Sequence, residues 1–284
     1  MLSVVLAVAA ALAAPGPPGL DRTAIADAAG GAGFGPQADA IAAAALPGVT
    51  MERTIVRRAP ARRGTSRLGG RPDLPPTTPW PVCQGRPMAF LGQVRLAELP
   101  RGYLPELPRA GLLSFFTDVE GEDPGSWLTG GRCSTVMRLP LGRGRLERRA
   151  TPRRQRPLVL RSARVRLRGH ASLPASEDTR VAAPLQHIAI SDFEPWFRFR
   201  EDLRGTREPL HHLGGYADFG QLDPRRWECS RSVPVTKWRL LLQVEWDEPL
   251  GFMVGDGGVL FVHVRESDLR AGRFDRLCSS LEQG

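Results

Sequence analysis

One pattern occurs twice in this chain, in the same order, and it leaves few folds open. Leu68-Gly69-Gly70 is followed by Leu91-Gly92-Gln93-Val94 and then by Gly111-Leu112-Leu113-Ser114-Phe115. Leu213-Gly214-Gly215 is followed by Leu241-Leu242-Gln243-Val244 and then by Gly258-Val259-Leu260-Phe261-Val262. The second glycine precedes the glutamine by 23 residues in one case and 28 in the other. Trp80 with Cys83, and Trp227 with Cys229, fall at roughly matching places after each glycine pair. The repeat is far longer than the roughly 20–50 residues of a solenoid unit. It implies a duplicated unit whose two sheets share one core. The expected fold is α+β: two diverged copies of a strand-rich unit, over about residues 52–140 and 185–284, with mixed or antiparallel sheets. N-terminal helices precede them within one domain of residues 21–284.

The elements follow from local signals. Asp21 or Thr23 caps a helix over residues 24–29 that Gly30-Gly31 ends. A second, alanine-rich helix over residues 36–46 stops at Pro47-Gly48, and residues 51–57 alternate as a strand. Further strands are expected over residues 87–96, 111–116, 164–168, 238–246 and 258–264, with Ser267 capping a short terminal helix. In residues 164–168, Arg164, Arg166 and Arg168 share one face, as an edge strand defended by charge would have them.

The repeated polar residues need partners. A glutamine inside an apolar strand is costly unless its amide is bonded. Gln93 and Gln243 therefore either bond backbone at the centre of the fold or point into a pocket. Paired glycines after leucine suggest positive φ or close backbone approach.

These residues carry a family likeness. Residues 66–75 (SRLGGRPDLP), then Trp80-Pro81 and Phe90-Leu91-Gly92-Gln93-Val94, resemble the opening motif of the YwqG-like family of bacterial proteins. His212-Leu213-Gly214-Gly215-Tyr216 with Gln221, Leu241-Leu242-Gln243-Val244, and Gly255-Asp256-Gly257-Gly258-Val259-Leu260-Phe261 are similar to its later signatures. The resemblance runs from about Ile25 to Leu277. It implies a compact α+β fold of mixed sheets and no known reaction. Met253-Val254 stand where that family often has an aromatic, and the basic stretch of residues 143–168 is an elaboration outside its pattern.

That stretch holds the charge of the chain. Residues 141–168 contain eleven arginines and one acid, Glu147, a net +10 against +9 for all 284 residues. The rest therefore sums to −1, and one local basic element is indicated rather than a protein-wide field. No aromatic lies between Leu141 and His170 and no nucleic-acid motif is present, which disfavours a nucleic-acid partner.

Cys83, Cys133, Cys229 and Cys278 form no CxxC pair and no metal-like cluster. Residues 1–20 read as a signal-like or disordered segment: the apolar run is too short to span a bilayer and lacks a basic start. Cytoplasmic location is favoured and export is the alternative. Export would make two disulfides plausible; in the cytoplasm the cysteines would be buried thiols.

No P-loop, HExxH, GxSxG or strand-following GxGxxG is present, so no cofactor, metal or established catalytic machinery is expected. The favoured reading is a binding module for a protein or small molecule, with a cleft between the repeats lined by His212, Tyr216, Gln93, Gln243 and Asp256. Two alternatives stay open. One is a hydrolase or transferase using His212 with Asp256 or Glu245. The other is contact of an anionic surface through residues 143–168, with Arg164, Arg166 and Arg168 as contacts. Glu245 and Asp247, the acidic loop of Asp118, Glu120, Glu122 and Asp123, and the aromatic run DFEPWFRFR at residues 192–200 are secondary candidates. In that run the aromatics line a ligand pocket or a partner surface, or else belong to the core with Arg198 and Arg200 reaching solvent.

Overall fold

Asp21 opens the first helix: its side chain accepts the N–H of Ala24, and α1 (Arg22–Ala29) follows. The backbone continues through tight turns at residues 30–37 and enters α2 (Ala38–Ala44). The computed structural model describes residues 19–57, 62–119, 133–142, 145–152, 157–178, 193–205, 210–229 and 232–283. Of the signal-like segment only residues 19 and 20 fall among these.

The first strand, β1 (Leu46–Ile55), starts earlier than its sequence suggests and runs through Pro47-Gly48. Tertiary contacts explain the shift. Gly48 lies opposite His170, where a Cβ would come within 2.5 Å of the imidazole. Pro47 pairs on one side only, with Ala171, so its missing N–H breaks no second ladder.

Among the described residues ten strands form one sheet, and every ladder is antiparallel. Its centre is β1 beside β10 (Ala163–Ser172). Outward from β10 come β2 (Arg67–Leu68), β6 (Ala89–Arg95), β7 (Leu112–Thr117) and β8 (Ser134–Leu139). Outward from β1 come β11 (His212–Gly214), β12 (Trp238–Val244), β13 (Val259–Arg265) and β14 (Leu277–Glu282). Two short ribbons stand apart: β3 (Asp73–Leu74) with β9 (Glu147–Arg148), and β4 (Val82–Cys83) with β5 (Arg86–Pro87). The fold is α+β.

The two flanks correspond in detail. Arg67 pairs with Gln93 across one ladder, and His212 with Gln243 across the other. The ladder skips at Leu91 on one side and at Leu241 on the other. The leading strands cross over: β1 precedes β2 in the chain but pairs with β11, while β10 precedes β11 but pairs with β2. Disulfides Cys83–Cys133 and Cys229–Cys278 each tie the approach to the glutamine-bearing strand to the outermost strand or the residue before it. The cysteines are therefore bridged, not the buried thiols of the cytoplasmic reading.

Two further expectations need correction. The arginine-bearing strand is not an edge: β10 is hydrogen-bonded on both sides, to β1 and β2. Ser267 is not a cap, because α4 (Glu266–Arg270) begins one residue earlier, after Arg265.

The sheet curls until its outer strands β8 and β14 come within 8 Å of each other between Cα atoms. Its concave face holds the main core, where Val49, Leu68, Leu213, Leu241 and Val262 meet Leu99, Leu104 and Leu107 from the β6–β7 connection. Helices cover part of the other face. There α3 (Phe193–Arg204) packs on β10, and Trp196 and Phe199 join Ile25, Phe34 and Ile41 of the N-terminal segment. Along its length, from Phe193 to Arg204, α3 also borders the chain just after β12, and a cleft opens beneath it.

Candidate functional site

Each glycine pair builds the same small polar device. Gly69, Gly70, Gly214 and Gly215 all take positive φ (58°, 71°, 63° and 70°), which L side chains rarely adopt. The double turn swings Asp73 or Asp218, three residues beyond, back over the glutamine of the adjacent strand. Gln93 Oε1 accepts the Asp73 N–H at 3.0 Å, and Gln243 Oε1 accepts the Asp218 N–H at 3.0 Å. The amide nitrogens donate to the carboxylates, Gln93 to Asp73 at 3.1 Å and Gln243 to Asp218 at 3.3 Å. Just before the leucine, Arg67 donates to the Arg71 carbonyl and His212 Nε2 to the Tyr216 carbonyl.

The devices differ in their cations. Asp73 is held by the fully buried Arg67 at 2.7 Å and by Arg148 at 3.1 Å. At Asp218 the imidazole is too short to do this, so α3 reaches in. Arg200 and Arg204 both pair with Asp218, Arg204 at 2.7 Å. Arg200 is only 7% exposed, a correction to the expectation that it reaches solvent. Arg198 does stay outside, on Glu194. Burial alone would raise the Asp218 carboxyl, but Arg204, Arg200 and His212 hold it far below the usual carboxylate range. Burial pushes His212 the other way, down to about 4, against the pull of Asp218. His212 is thus the neutral Nε2–H tautomer at ordinary pH, and its Nδ1 has no partner.

Beside this device lies the cleft, about 610 Å³ in volume. One wall is α3, where Phe193, Phe197 and Glu201 follow at helical spacing. The facing wall is the chain just after β12, from Glu245 to Pro249, and includes Trp246. Phe193, Phe197 and Trp246 are 52%, 37% and 37% exposed. The floor is ionic and internally paired. Asp247 takes Arg53 through both carboxylate oxygens, accepts His211 Nε2–H at 3.0 Å and accepts the Leu250 N–H at 3.0 Å. Burial would raise the Asp247 carboxyl, but His211, Arg53 and the Leu250 N–H bring it to about 2. Glu245 accepts the Leu210 N–H at 2.6 Å and Gln243 Nε2–H at 3.0 Å, and its own N–H donates to His211 Nδ1. Among the described residues no group of three or more His, Cys, Asp and Glu is arranged to hold a metal ion.

The sequence that builds both devices and the facing wall, residues 66–282, matches one family throughout. The chain belongs to the family described as Domain of unknown function (DUF1963). No curated protein matches it.

Within this DUF1963 chain the five residues expected to line one cleft are dispersed. His212, Tyr216 and Gln243 stand together: His212 bonds the Tyr216 carbonyl and lies across the ladder from Gln243, while the Tyr216 hydroxyl donates to the Ala44 carbonyl at 2.9 Å. Gln93 belongs to the other flank and bonds Thr65 and Asp73. Asp256 sits exposed in the turn between Gly255 and Gly257. His212 bonds neither Asp256 nor Glu245, and it is 1% exposed. None of the five lines the cleft beneath α3. Glu245 and Asp247 do line it, but β12 ends at Val244, so strand alternation does not place them.

The other candidates scatter too. Arg168 donates to Glu52 at 2.6 Å and to the Arg204 carbonyl at 2.7 Å, while Arg164 and Arg166 are exposed on β10. Asp118 pairs with Arg86, whereas Glu120, Glu122 and Asp123 lie outside the described residues. The DUF1963 residues missed from sequence are Asp73 and Asp218 with the α3 arginines. A signal was present: both motifs read Leu-Gly-Gly-x-x-Asp.

Proposed function

We propose that this chain is a ligand-binding module whose site is the cleft beneath α3. The observation that carries the reading is the combination of three exposed aromatic rings over a buried ionic floor. Single exposed apolar side chains are ordinary, but several converging on one concavity of small-molecule size are the mark of a binding site. The reading is one of binding rather than catalysis. Asp218 and Asp247 have their oxygens occupied by arginine, histidine or backbone, and His212 is enclosed and bonded to the turn it follows.

We further propose that the chain descends from a duplicated unit of the YwqG-like type. The matched ladders, paired devices and paired disulfides favour this, with each copy lending its first strand to the other. On that view the device keeps the fold together in both copies, and only the second copy carries the cleft, because only there does a helix supply the cations. The two disulfides favour an oxidising compartment over the cytoplasm.

A metabolite screen by thermal shift tests the binding reading, with Trp246→Ala and Phe197→Ala as site controls. Ligands that raise the melting temperature should lose most of that shift in both variants. Ligands that stabilise both variants as well as the parent would place the site elsewhere.

A further inference from the structure

The ligand class of the cleft follows from its lining, given that the cleft is a binding site. We infer that its occupant is a small organic cation, one carrying an ammonium or guanidinium group.

Charge comes first. The lining contains six carboxylates, on Glu177, Glu201, Asp218, Glu245, Asp247 and Glu248, and three guanidiniums, on Arg53, Arg200 and Arg204, a net −3. The chain outside residues 141–168 sums to only −1, and the lining, which includes none of those residues, concentrates negative charge. The sign alone does not make a site; the pairing pattern adds direction. Every guanidinium is spent on an acid of the floor, Arg53 on Asp247 and Arg200 with Arg204 on Asp218. An incoming anion meets no unpaired cation there. Glu201 and Glu248, on opposite walls, form no ion pair among the described residues. An incoming cation meets a carboxylate on either side.

The rings are the second, independent observation. Phe193 and Phe197 stack with centroids 6.2 Å apart, and Trp246 stands on the other wall between Glu245 and Asp247. The negative face of an aromatic ring attracts a cation, most strongly for tryptophan, and this gain grows when water is excluded. Rings and carboxylates together select positive charge, whereas rings alone would select any apolar group. The volume of about 610 Å³ is in the range of small-molecule sites.

The experiment is a calorimetric titration of the full chain with agmatine, putrescine and tetramethylammonium, beside the neutral n-butylurea and the anion succinate. At least one cation should bind, and more tightly than the neutral and anionic probes. Glu201→Gln and Glu248→Gln should each weaken that cation about threefold to tenfold, and Trp246→Ala about tenfold. Added salt should weaken it further. Both glutamate variants alter side chains open to solvent, so retained melting temperature separates lost binding from lost fold. If n-butylurea or succinate binds as well as the cations, and Trp246→Ala removes that binding, the cationic class is overturned while the cleft reading stands. If no probe of any charge binds, or the cations bind undiminished in all three variants, the inference fails; in the second case the cleft reading fails with it.

Discussion

Asp218 donates its backbone N–H to Oε1 of Gln243 at 3.0 Å, and the same glutamine returns a bond from Nε2 to the Asp218 carboxylate. Asp73 and Gln93 make the same pair of bonds on the other flank of the sheet. Both glutamines are completely buried. Strand, glycine turn and acid are thus fixed to one another by one side chain in each flank.

Replacing either glutamine by leucine should therefore destabilise the chain by about 1–3 kcal/mol, since a buried N–H loses its acceptor and a buried carboxylate one of its donors at once. Urea denaturation of Gln93→Leu and Gln243→Leu should show comparable losses. A neutral outcome for either would mean that its amide does not hold the turn.

The glycines should rank by what lies beside them. A Cβ on Gly69 would fall 2.0 Å from the Arg161 carbonyl oxygen, which is backbone and cannot move aside. A Cβ on Gly214 would meet the Leu104 side chain at 2.1 Å, which can rotate. Both also force alanine into positive φ, at about 1–2 kcal/mol. Gly69→Ala should be the more damaging of the two when melting temperatures are compared; the reverse order would contradict the packing described here.

Acid should weaken the fold in two stages. The His212 imidazole titrates at about 4 when folded against an ordinary 6.5, because burial disfavours its charged form. As pH falls past 6.5 the unfolded chain takes up this proton first, so stability drops until about pH 4 and this contribution then levels off. The full drop from this one group is about 3 kcal/mol. His170, also lowered by burial, adds to it in the same direction. Below the ordinary carboxyl value of 3.8, Asp247, brought to about 2, adds its own loss. Urea midpoints from pH 7 to pH 4 should fall steeply in the parent and less steeply in His212→Asn; equal slopes would remove His212 as a cause.

Reduction should also be costly. The bridges span 50 and 49 residues of chain, and loop closure on that scale constrains the unfolded state by about 4 kcal/mol each. Double alanine variants at Cys83 and Cys133, and at Cys229 and Cys278, should each lower stability towards that amount in urea. Unchanged midpoints would mean the bridges do not constrain the unfolded chain.

The glutamines and glycines were legible in sequence because the device is local in its chemistry. Positive φ demands glycine, and a buried amide demands a partner, wherever the chain goes. The strand carrying Arg164, Arg166 and Arg168 was legible as a strand from its alternation, but its place was not. Charge on one face fits an exposed edge as well as a central strand whose one face is left partly open. The start of β1 differs from its sequence expectation for a similar reason: Pro47-Gly48 reads as a helix stop, and only the His170 ring lying over Gly48 shows why a glycine belongs in that strand.

The sequence by itself determined the α+β class, the strand-rich flanks and the polar residues that each flank must satisfy, because these follow from backbone conformation and burial within a short stretch of chain. Only the tertiary structure decided where the cleft lies. It is formed by α3, by Trp246 and by the floor around Asp218 and Asp247, segments tens of residues apart that no local periodicity connects. Their meeting depends on how a helix packed on one strand of a curled sheet comes to face the loop after another, a property of packing between elements rather than of any one of them.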